Sequence, residues 1–174
     1  MQIKTIPVGF LKANCYILVK DDKCLIIDPG DEGNKIIENI GVIKPLAIIV
    51  THKHFDHIGE VDSLKEYYNI PVYDINNLQE KEYILEKFKF EIIYTKGHDD
   101  TCITIYFKED KIMFTGDFLF KDTIGRIDLY GSNEKDMYKS INKIKTYSND
   151  IIIYPGHGTT TNLGYEKTNN IFFR

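Results

Sequence analysis

The run His52-Lys53-His54-Phe55-Asp56-His57 places three imidazoles and one carboxylate within six residues. It follows directly on Leu46-Ala47-Ile48-Ile49-Val50, a short apolar segment that predicts a strand buried on both faces and covered by helices. The polar run is therefore expected on a loop at the end of that strand. Neutral imidazole and carboxylate are ligands that suit zinc, iron and other first-row divalent ions. Together the two segments predict an α/β fold with a metal site at the edge of a sheet.

The two remaining histidines of the chain each stand beside a glycine at a predicted strand end, as Gly97-His98 and Gly156-His157. A lone histidine in such a place is more often a satisfied polar residue than a ligand, and Asp117 after Gly116 is ordinarily a turn residue. The six-residue cluster changes that weighting, because grouped imidazoles repel one another when charged and need partners when neutral. A metal supplies such a partner.

The alternation of side chains along the cluster predicts two adjacent ions. Zn²⁺ is the expected metal, and iron and manganese also fit the mixture of nitrogen and oxygen donors. A bridging carboxylate and a bridging hydroxide would offset the repulsion between two divalent cations, and open coordination positions would admit water and substrate. The expected ligands are His52, His54 and His98 for the first ion, Asp56, His57 and His157 for the second, and Asp117 as the bridge.

The rest of the chain reads as an alternation of short strands and helices. Strands are predicted, with soft boundaries, at residues 2–7, 14–20, 23–27, 46–50, 71–73, 91–94, 102–107, 111–114 and 151–154. Helices are predicted around residues 36–40, over 58–68 and 77–88, and from Ser132 or Asn133 through the apolar stripe Met137, Ile141 and Ile144.

Composition excludes several classes of function. The 174 residues suit one domain, the net charge of −4 leaves no basic patch for nucleic acid, and no apolar run reaches the length of roughly 20 residues that spans a bilayer. We expect a cytoplasmic protein that binds neither nucleic acid nor membrane. Its oligomeric state is left open. Cys15, Cys24 and Cys102 are expected to be buried, reduced thiols without a chemical role.

Four motifs together resemble the metallo-β-lactamase superfamily in order and spacing: the histidine cluster, Gly97-His98, Thr115-Gly116-Asp117 and Pro155-Gly156-His157-Gly158. The segments after the last two motifs, at 118–129 and 160–166, are most similar to the glyoxalase II group. The resemblance covers nearly the whole chain. It implies one domain over residues 1–174, an αββα sandwich of two mixed sheets covered by helices, and a dinuclear centre with the ligands named above.

The resemblance also implies roles for residues outside the ligand set. Asp28 is expected to orient a ligand imidazole or only to cap a turn, and Arg126 with Asp128 to shape the substrate mouth or only to pin a surface loop. Two features depart from the family. Asp99-Asp100 adds negative charge where the family often has Thr-Pro-Gly, and we expect no counterpart of the C-terminal helical domain that helps bind glutathione in full-length relatives.

The function that this resemblance implies is a small-molecule thioesterase of the glyoxalase II type. It would convert S-D-lactoylglutathione to D-lactate and glutathione with a metal-bridging hydroxide, which Asp56 would orient. Three alternatives stay open. They are a persulfide dioxygenase with one iron held by His52, His98 and Asp117, a lactonase with the same dinuclear centre, and a metal-stabilised binding module without turnover.

Overall fold

The computed structural model describes residues 1–173, which form two β-sheets packed face to face. The first sheet has the strand order β1-β2-β3-β4-β5. Its strands are β1 (Gln2–Val8), β2 (Ala13–Lys20), β3 (Lys23–Ile27), β4 (Lys44–Ile49) and β5 (Val72–Tyr73). The helices that accompany this half are α1 (Gly33–Ile40), α2 (Phe55–Ile58) and α3 (Val61–Tyr68).

The second sheet is built from the C-terminal half of the chain. Its strands are β6 (Glu82–Leu85), β7 (Phe88–Tyr94), β8 (Ile103–Phe107), β9 (Ile112–Gly116), β12 (Ile152–Pro155) and β13 (Thr161–Asn162). A separate small hairpin between β9 and β12 consists of β10 (Leu119–Phe120) and β11 (Thr123–Ile124). The spatial order is β13-β12-β9-β8-β7-β6. The accompanying helices are α4 (Glu134–Ile144), α5 (Leu163–Asn169) and a 3₁₀ turn at Ile171–Phe173.

Both sheets are mixed, as the resemblance implies. Antiparallel hairpins join β1 to β2 and β2 to β3, whereas β3, β4 and β5 run parallel. In the second sheet β6 to β9 form an antiparallel meander, and β12 adds to β9 in parallel. The layers are therefore helices, sheet, sheet and helices. This confirms the predicted αββα sandwich.

Side-chain alternation along the strands divides the interior into three apolar layers. On β2, Tyr16 and Leu18 face the second sheet, while Ile17 and Val19 face α1 and α3. The other side of the second sheet packs on α4 through Met137, Ile141 and Ile144, the stripe that the sequence predicts. All three cysteines are buried and free, as expected, and their lack of a chemical role stays a prediction.

The helix predicted over 77–88 is wrong. The segment instead ends in the hairpin of β6 and β7, with Leu85 paired to Phe88 across the turn Glu86-Lys87. Phe88 and Phe90 are buried between the sheets, and Lys89 between them is exposed, so the true period is two. Glu-Lys is not a turn signature of hairpins, and the backbone of Glu86 has a positive φ of 51°.

Strand direction explains why the polar segments meet. β3 and β4 are parallel, and so are β9 and β12, while β7 lies two antiparallel steps from β9 and so points the same way. The carboxyl ends of these strands gather at one edge of the sandwich. In residues 1–173, no helix is long and apolar enough to cross a membrane.

Candidate metal centre

Every predicted ligand follows the carboxyl end of a strand. The cluster from His52 to His57 leaves β4, His98 follows β7, Asp117 directly follows β9, and His157 follows β12. The ends of the two sheets are tied together here, because Ile103 N–H donates to the carbonyl of Thr51 at 2.8 Å. The structure therefore brings all seven residues into one site between the sheets.

His52, His54 and His98 form the first donor group. One ring nitrogen from each lies within 4.8 Å of the other two. Nδ1 of His54 and Nε2 of His98 are 2.9 Å apart. His52 and His98 are buried, whereas His54 lies partly exposed at the mouth.

Asp56, His57 and His157 form the second donor group, again with one atom from each within 4.8 Å of the others. Asp56 Oδ2 lies 3.2 Å from His157 Nε2 and 3.7 Å from His57 Nε2. Asp56 and His57 lie on the short helix α2, and the ring centroids of His57 and His52 are 4.3 Å apart, so the two donor groups adjoin.

Asp117 lies between the two groups. Its Oδ2 is 3.9 Å from His52 Nε2, 3.6 Å from His98 Nε2 and 3.5 Å from His157 Nε2. Its Oδ1 is 3.3 Å from His57 Nε2. A carboxylate in this place faces donors of both groups, as a bridging ligand must.

Three of these imidazoles are oriented from behind by oxygen acceptors. Nδ1 of His57 donates to Asp28 Oδ2 at 3.0 Å, Nδ1 of His98 to the carbonyl of Arg126 at 2.9 Å, and Nδ1 of His157 to the carbonyl of Leu11 at 3.2 Å. Each of these bonds leaves Nε2 of the ring directed into the site. Such support fixes the tautomer of a metal-binding histidine.

Asp28 is itself held firmly. Its two oxygens accept from the backbone N–H of Thr51 at 2.7 Å and from the Thr51 hydroxyl at 2.6 Å. Asp28 is 1 % exposed and adopts a positive φ of 50°, a conformation that costs energy in a residue with a side chain. Its contacts go beyond those of a turn cap.

The imidazoles divide into two electrostatic types. Burial lowers the pKa of His52 well below its usual value and also lowers that of His98. Burial opposes the charged form of His57 too, but the carboxylates of Asp117 and Asp28 outweigh it and raise the pKa to about 10. Asp117 and Asp56 raise the pKa of His157 to about 9. The carboxylates thus favour positive charge on one side of the site.

Unpartnered buried atoms test whether a metal fits the site. His52 Nε2, His57 Nε2 and Asp117 Oδ1 are buried and form no hydrogen bond within the described part of the chain. Buried polar atoms nearly always have a partner, because leaving one unpaired costs about 1–3 kcal/mol. These three atoms face the space between the donor groups. A divalent cation there would satisfy all three, so the residues fit such an ion.

Glycines make room for this arrangement. A Cβ at Gly156 would lie 2.1 Å from Asp117 Oδ1 and 2.8 Å from His57 Cε1. A Cβ at Gly116, whose φ is +49°, would lie 2.3 Å from the Thr51 hydroxyl. A side chain at Gly156 would displace two of the donors, and one at Gly116 would displace Thr51, which holds Asp28.

The loops beside the first donor group carry charged side chains. Arg126 forms a bidentate ion pair with Asp128 at 2.9 and 3.0 Å, and both side chains are two-thirds exposed. Asp99 caps a turn by accepting from the backbone N–H of Thr101 at 2.8 Å, while its Oδ2 lies 3.9 Å from His54 Nε2. Asp100 is exposed. The structure thus places the charge of Asp99 beside the first donor group.

Sequence reasoning did not identify Thr51 or the carbonyls of Leu11 and Arg126 as parts of the site. Thr51 precedes the cluster directly, and that position offered a usable clue. The two carbonyls left none, because every residue has one.

Comparisons with known proteins agree with this arrangement of donor residues. A model of the metallo-β-lactamase superfamily matches residues 8–77 and 72–157. The chain is 34 % identical to the probable metallo-hydrolase YqgX of Bacillus subtilis, over 99 % of this chain and 97 % of that protein. It is 31 % identical to the hydroxyacylglutathione hydrolase GloC of Haemophilus influenzae, over 99 % and 98 %.

Two solved structures share the fold at similar identity. The BLEG-1 B3 metallo-β-lactamase superimposes with a TM-score of 0.94 at 31 % identity, covering 99 % of each chain. TTHA1623 in a di-iron-bound form superimposes with a TM-score of 0.87 at 30 % identity, covering 97 % of this chain and 99 % of the other.

Proposed function

The chain belongs to the metallo-β-lactamase superfamily, and from that premise we propose that it is a two-metal hydrolase that cleaves thioesters of the S-acylglutathione type. Water adds across the carbon–sulfur bond, and the products are a carboxylic acid and a thiol. S-D-lactoylglutathione is the first substrate to test, with D-lactate and glutathione as its products.

The observation that carries the proposal is the position of Asp117 between two complete donor groups. Each group offers three ligand atoms within 4.8 Å of one another, and unpartnered buried atoms of His52, His57 and Asp117 face the same space. Similarity to GloC supports a thioester as the substrate. Zinc suits the donors, and similarity to a protein in a di-iron-bound form keeps iron as an alternative.

The residues of the site have separable roles in this reaction. When bound, divalent ions supply Lewis acidity toward a carbonyl and a water-derived nucleophile at neutral pH. Asp117 balances the positive charge from a buried position. Burial works to raise the pKa of Asp56, but His157 and His57 outweigh it and lower that pKa, so Asp56 is ionised and accepts a hydrogen bond from the attacking water. Its partly exposed position at the mouth lets substrate reach it.

Anaerobic hydrolysis of S-D-lactoylglutathione tests the proposal. Protein reconstituted with Zn²⁺ is expected to release glutathione, and the chelated apo-protein is the blank. If protein that holds two ions releases no thiol from this or any other acylglutathione, the thioesterase proposal fails. Parallel assays with lactones then decide whether the same centre is a lactonase.

Substitution of Asp117 tests the site itself. Asp117→Asn keeps the size of the side chain but removes the charge that faces both donor groups, so we expect loss of at least one bound ion and a fall in turnover of about 10³-fold or more. His54→Ala is expected to lose the first ion. Metal content and kcat are measured together. Asp62→Asn, an exposed change on α3, serves as the matched control. Full activity of Asp117→Asn would refute the site.

A mononuclear persulfide dioxygenase is the second candidate, because one oxygen of Asp117 lies within 3.9 Å of ring nitrogens of both His52 and His98. Two histidines and one carboxylate are the ligand set of many iron oxygenases. Metal stoichiometry separates the two proposals. One iron per chain with oxygen uptake on a persulfide would favour the dioxygenase, and two ions with anaerobic hydrolysis would exclude it.

A further inference from the structure

An apolar cavity of about 210 Å³ adjoins the second donor group. Its lining includes Val8, Phe10, Leu11 and Phe55, and Asp56 forms one edge. Phe10 is 97 % exposed, Phe55 75 % and Leu11 48 %, so the walls are largely open to solvent. Apolar side chains that are scattered singly over a surface are ordinary, whereas exposed aromatic side chains grouped around a concave surface indicate a binding site. None of the proposed chemical steps uses these side chains.

Defined contacts hold the loop that carries Phe10 and Leu11. Gly9 N–H donates to Glu32 at 3.0 Å, Lys12 N–H donates to the Gly9 carbonyl at 3.2 Å, and the Leu11 carbonyl accepts from Nδ1 of His157 at 3.2 Å. The backbone of the loop is thus fixed on one side to Glu32, which directly precedes α1, and on the other to His157, a proposed ligand. This fixed backbone places Phe10 and Leu11 beside the second donor group.

The charges of the cavity limit what can bind there. Asp31 and Asp56 are its only ionisable lining residues, and both are acidic. The thiol carrier in the proposed function is glutathione, which carries two carboxylates, and like charges repel in a partly desolvated site. The acyl substituent carries no such charge. The cavity therefore favours the acyl side of the thioester over the carrier side.

We propose that this cavity binds an apolar acyl group, aliphatic or aromatic, of a thioester substrate whose carbonyl lies at the two donor groups. The proposal rests on the proposed function and narrows its substrate class. A dry cavity of about 150 Å³ lined by aliphatic and aromatic side chains accepts benzene, so the present volume suits a group of phenyl size.

A series with a constant carrier tests this. S-acetyl-, S-D-lactoyl- and S-phenylacetylglutathione differ only in the acyl group, so differences in kcat/KM report on that group. We expect kcat/KM for the phenylacetyl substrate to exceed that for the acetyl substrate by about tenfold. Phe10→Ala and Phe55→Ala should each reduce this ratio to about threefold or less. Tyr67→Ala removes an exposed aromatic side chain on α3 outside the cavity and should leave the ratio unchanged.

A binding measurement tests the role of the cavity independently of turnover. Calorimetric titration of Zn²⁺-loaded protein with phenylacetate and acetate should show phenylacetate binding about tenfold more tightly, a difference that Phe55→Ala removes. Equal affinities, or an equal ratio in the Phe10→Ala and Phe55→Ala variants, would overturn the acyl-binding role. Absence of all thioester hydrolysis would sink the proposed function, and the titration would still test the cavity. If the wild type is a dimer and both variants are monomers with unchanged acyl-group selectivity, the side chains around the cavity form an interface between two copies. That result would overturn the proposal.

Discussion

Asp28 acts on the site from behind the donor groups. It accepts from His57 Nδ1 and from both donors of Thr51 while lying almost fully buried. A carboxylate in this position selects the tautomer of His57 and directs Nε2 at the site. Asp28 therefore acts by orienting His57. Its loss should lower the affinity for metal before it lowers the turnover rate.

Asp28→Asn is expected to weaken metal binding about 10- to 100-fold. The amide oxygen still accepts from the Thr51 N–H, but the NH2 group that replaces Oδ2 can accept from neither the Thr51 hydroxyl nor His57 Nδ1. Competition with a chromogenic chelator measures the affinity. Asp22→Asn, in the exposed turn after β2, is the matched control. An unchanged affinity in Asp28→Asn would mean that Asp28 only shapes the turn.

Cys24 provides a prediction about pH. Burial raises the pKa of its thiol from its ordinary value of 9.0 to about 12, so the folded state keeps a proton that the unfolded chain loses above pH 9. The unfolded state then binds fewer protons, and stability falls as pH rises from 9 toward 12. The contribution of this one thiol is about 2 kcal/mol by about pH 10.5.

Urea unfolding with a reductant present, at about pH 8 and about pH 10.5, measures this effect. The free energy of unfolding should fall less steeply in Cys24→Ala than in the wild type, even though the substitution lowers stability somewhat at neutral pH. Parallel slopes for the two proteins would show that the thiol ionises in the folded state as it does in the unfolded chain.

At the scale of elements, strand ends determine the site. β9 ends at Gly116 and β12 ends at Pro155, just before Gly156, and the two strands run parallel with a register shift at this point. The Gly156 N–H donates to the Gly116 carbonyl at 2.8 Å. The close approach brings His157 and Asp117 together, and it is possible only because no side chain stands between them.

Gly156→Ala is expected to cost about 1–3 kcal/mol of stability and to impair binding of the second ion, since the new Cβ would lie 2.1 Å from Asp117 Oδ1. Gly158→Ala is the informative control. Gly158 has a φ of +74° but no atom within 4 Å of an added Cβ, so this change tests backbone strain without intrusion. Thermal unfolding and metal content are measured for both variants. Equal metal loss in the two would argue against steric displacement of the donors.

For the whole molecule, the two sheets share the site. The first sheet contributes the cluster from His52 to His57, and the second contributes His98, Asp117 and His157. A metal ion bound by residues of both sheets would connect the halves of the sandwich. Any ligand that binds only the folded state stabilises it, by about 4 kcal/mol at a concentration 1,000 times its Kd.

Removal of metal is therefore expected to lower the Tm by about 10 °C, because 1 kcal/mol shifts the Tm of a domain of this size by about 2–4 °C. Thermal unfolding with and without a chelator measures the shift, and added Zn²⁺ should restore it. Asp117→Asn should show a much smaller response to the chelator. A Tm that does not respond in the wild type would show that the sheets are held by their apolar layers alone.

The sequence by itself determined the kinds of donor and their grouping at strand ends, because metal chemistry restricts the side chains that can serve as ligands. The αββα architecture followed from the resemblance of four motifs to a known family, since strands such as β2 and β8 are buried on both faces and carry no alternation that would identify the layers. The structure places the donors from His52 to His157 together as the spacing predicts. Whether they bind metal as assigned stays a prediction until metal content is measured.

Only the tertiary structure decided the rest. Residues 82–88, predicted as part of a helix, instead form β6 and the turn into β7, because Phe88 and Phe90 gain burial between the sheets and short apolar runs do not distinguish the two periods. The carbonyls of Leu11 and Arg126 orient histidines more than 20 residues away, through groups that every residue has. The apolar cavity brings Phe10, on the loop between β1 and β2, together with Phe55 at the start of α2. Distances of this kind depend on strand register and sheet packing, which long-range contacts set.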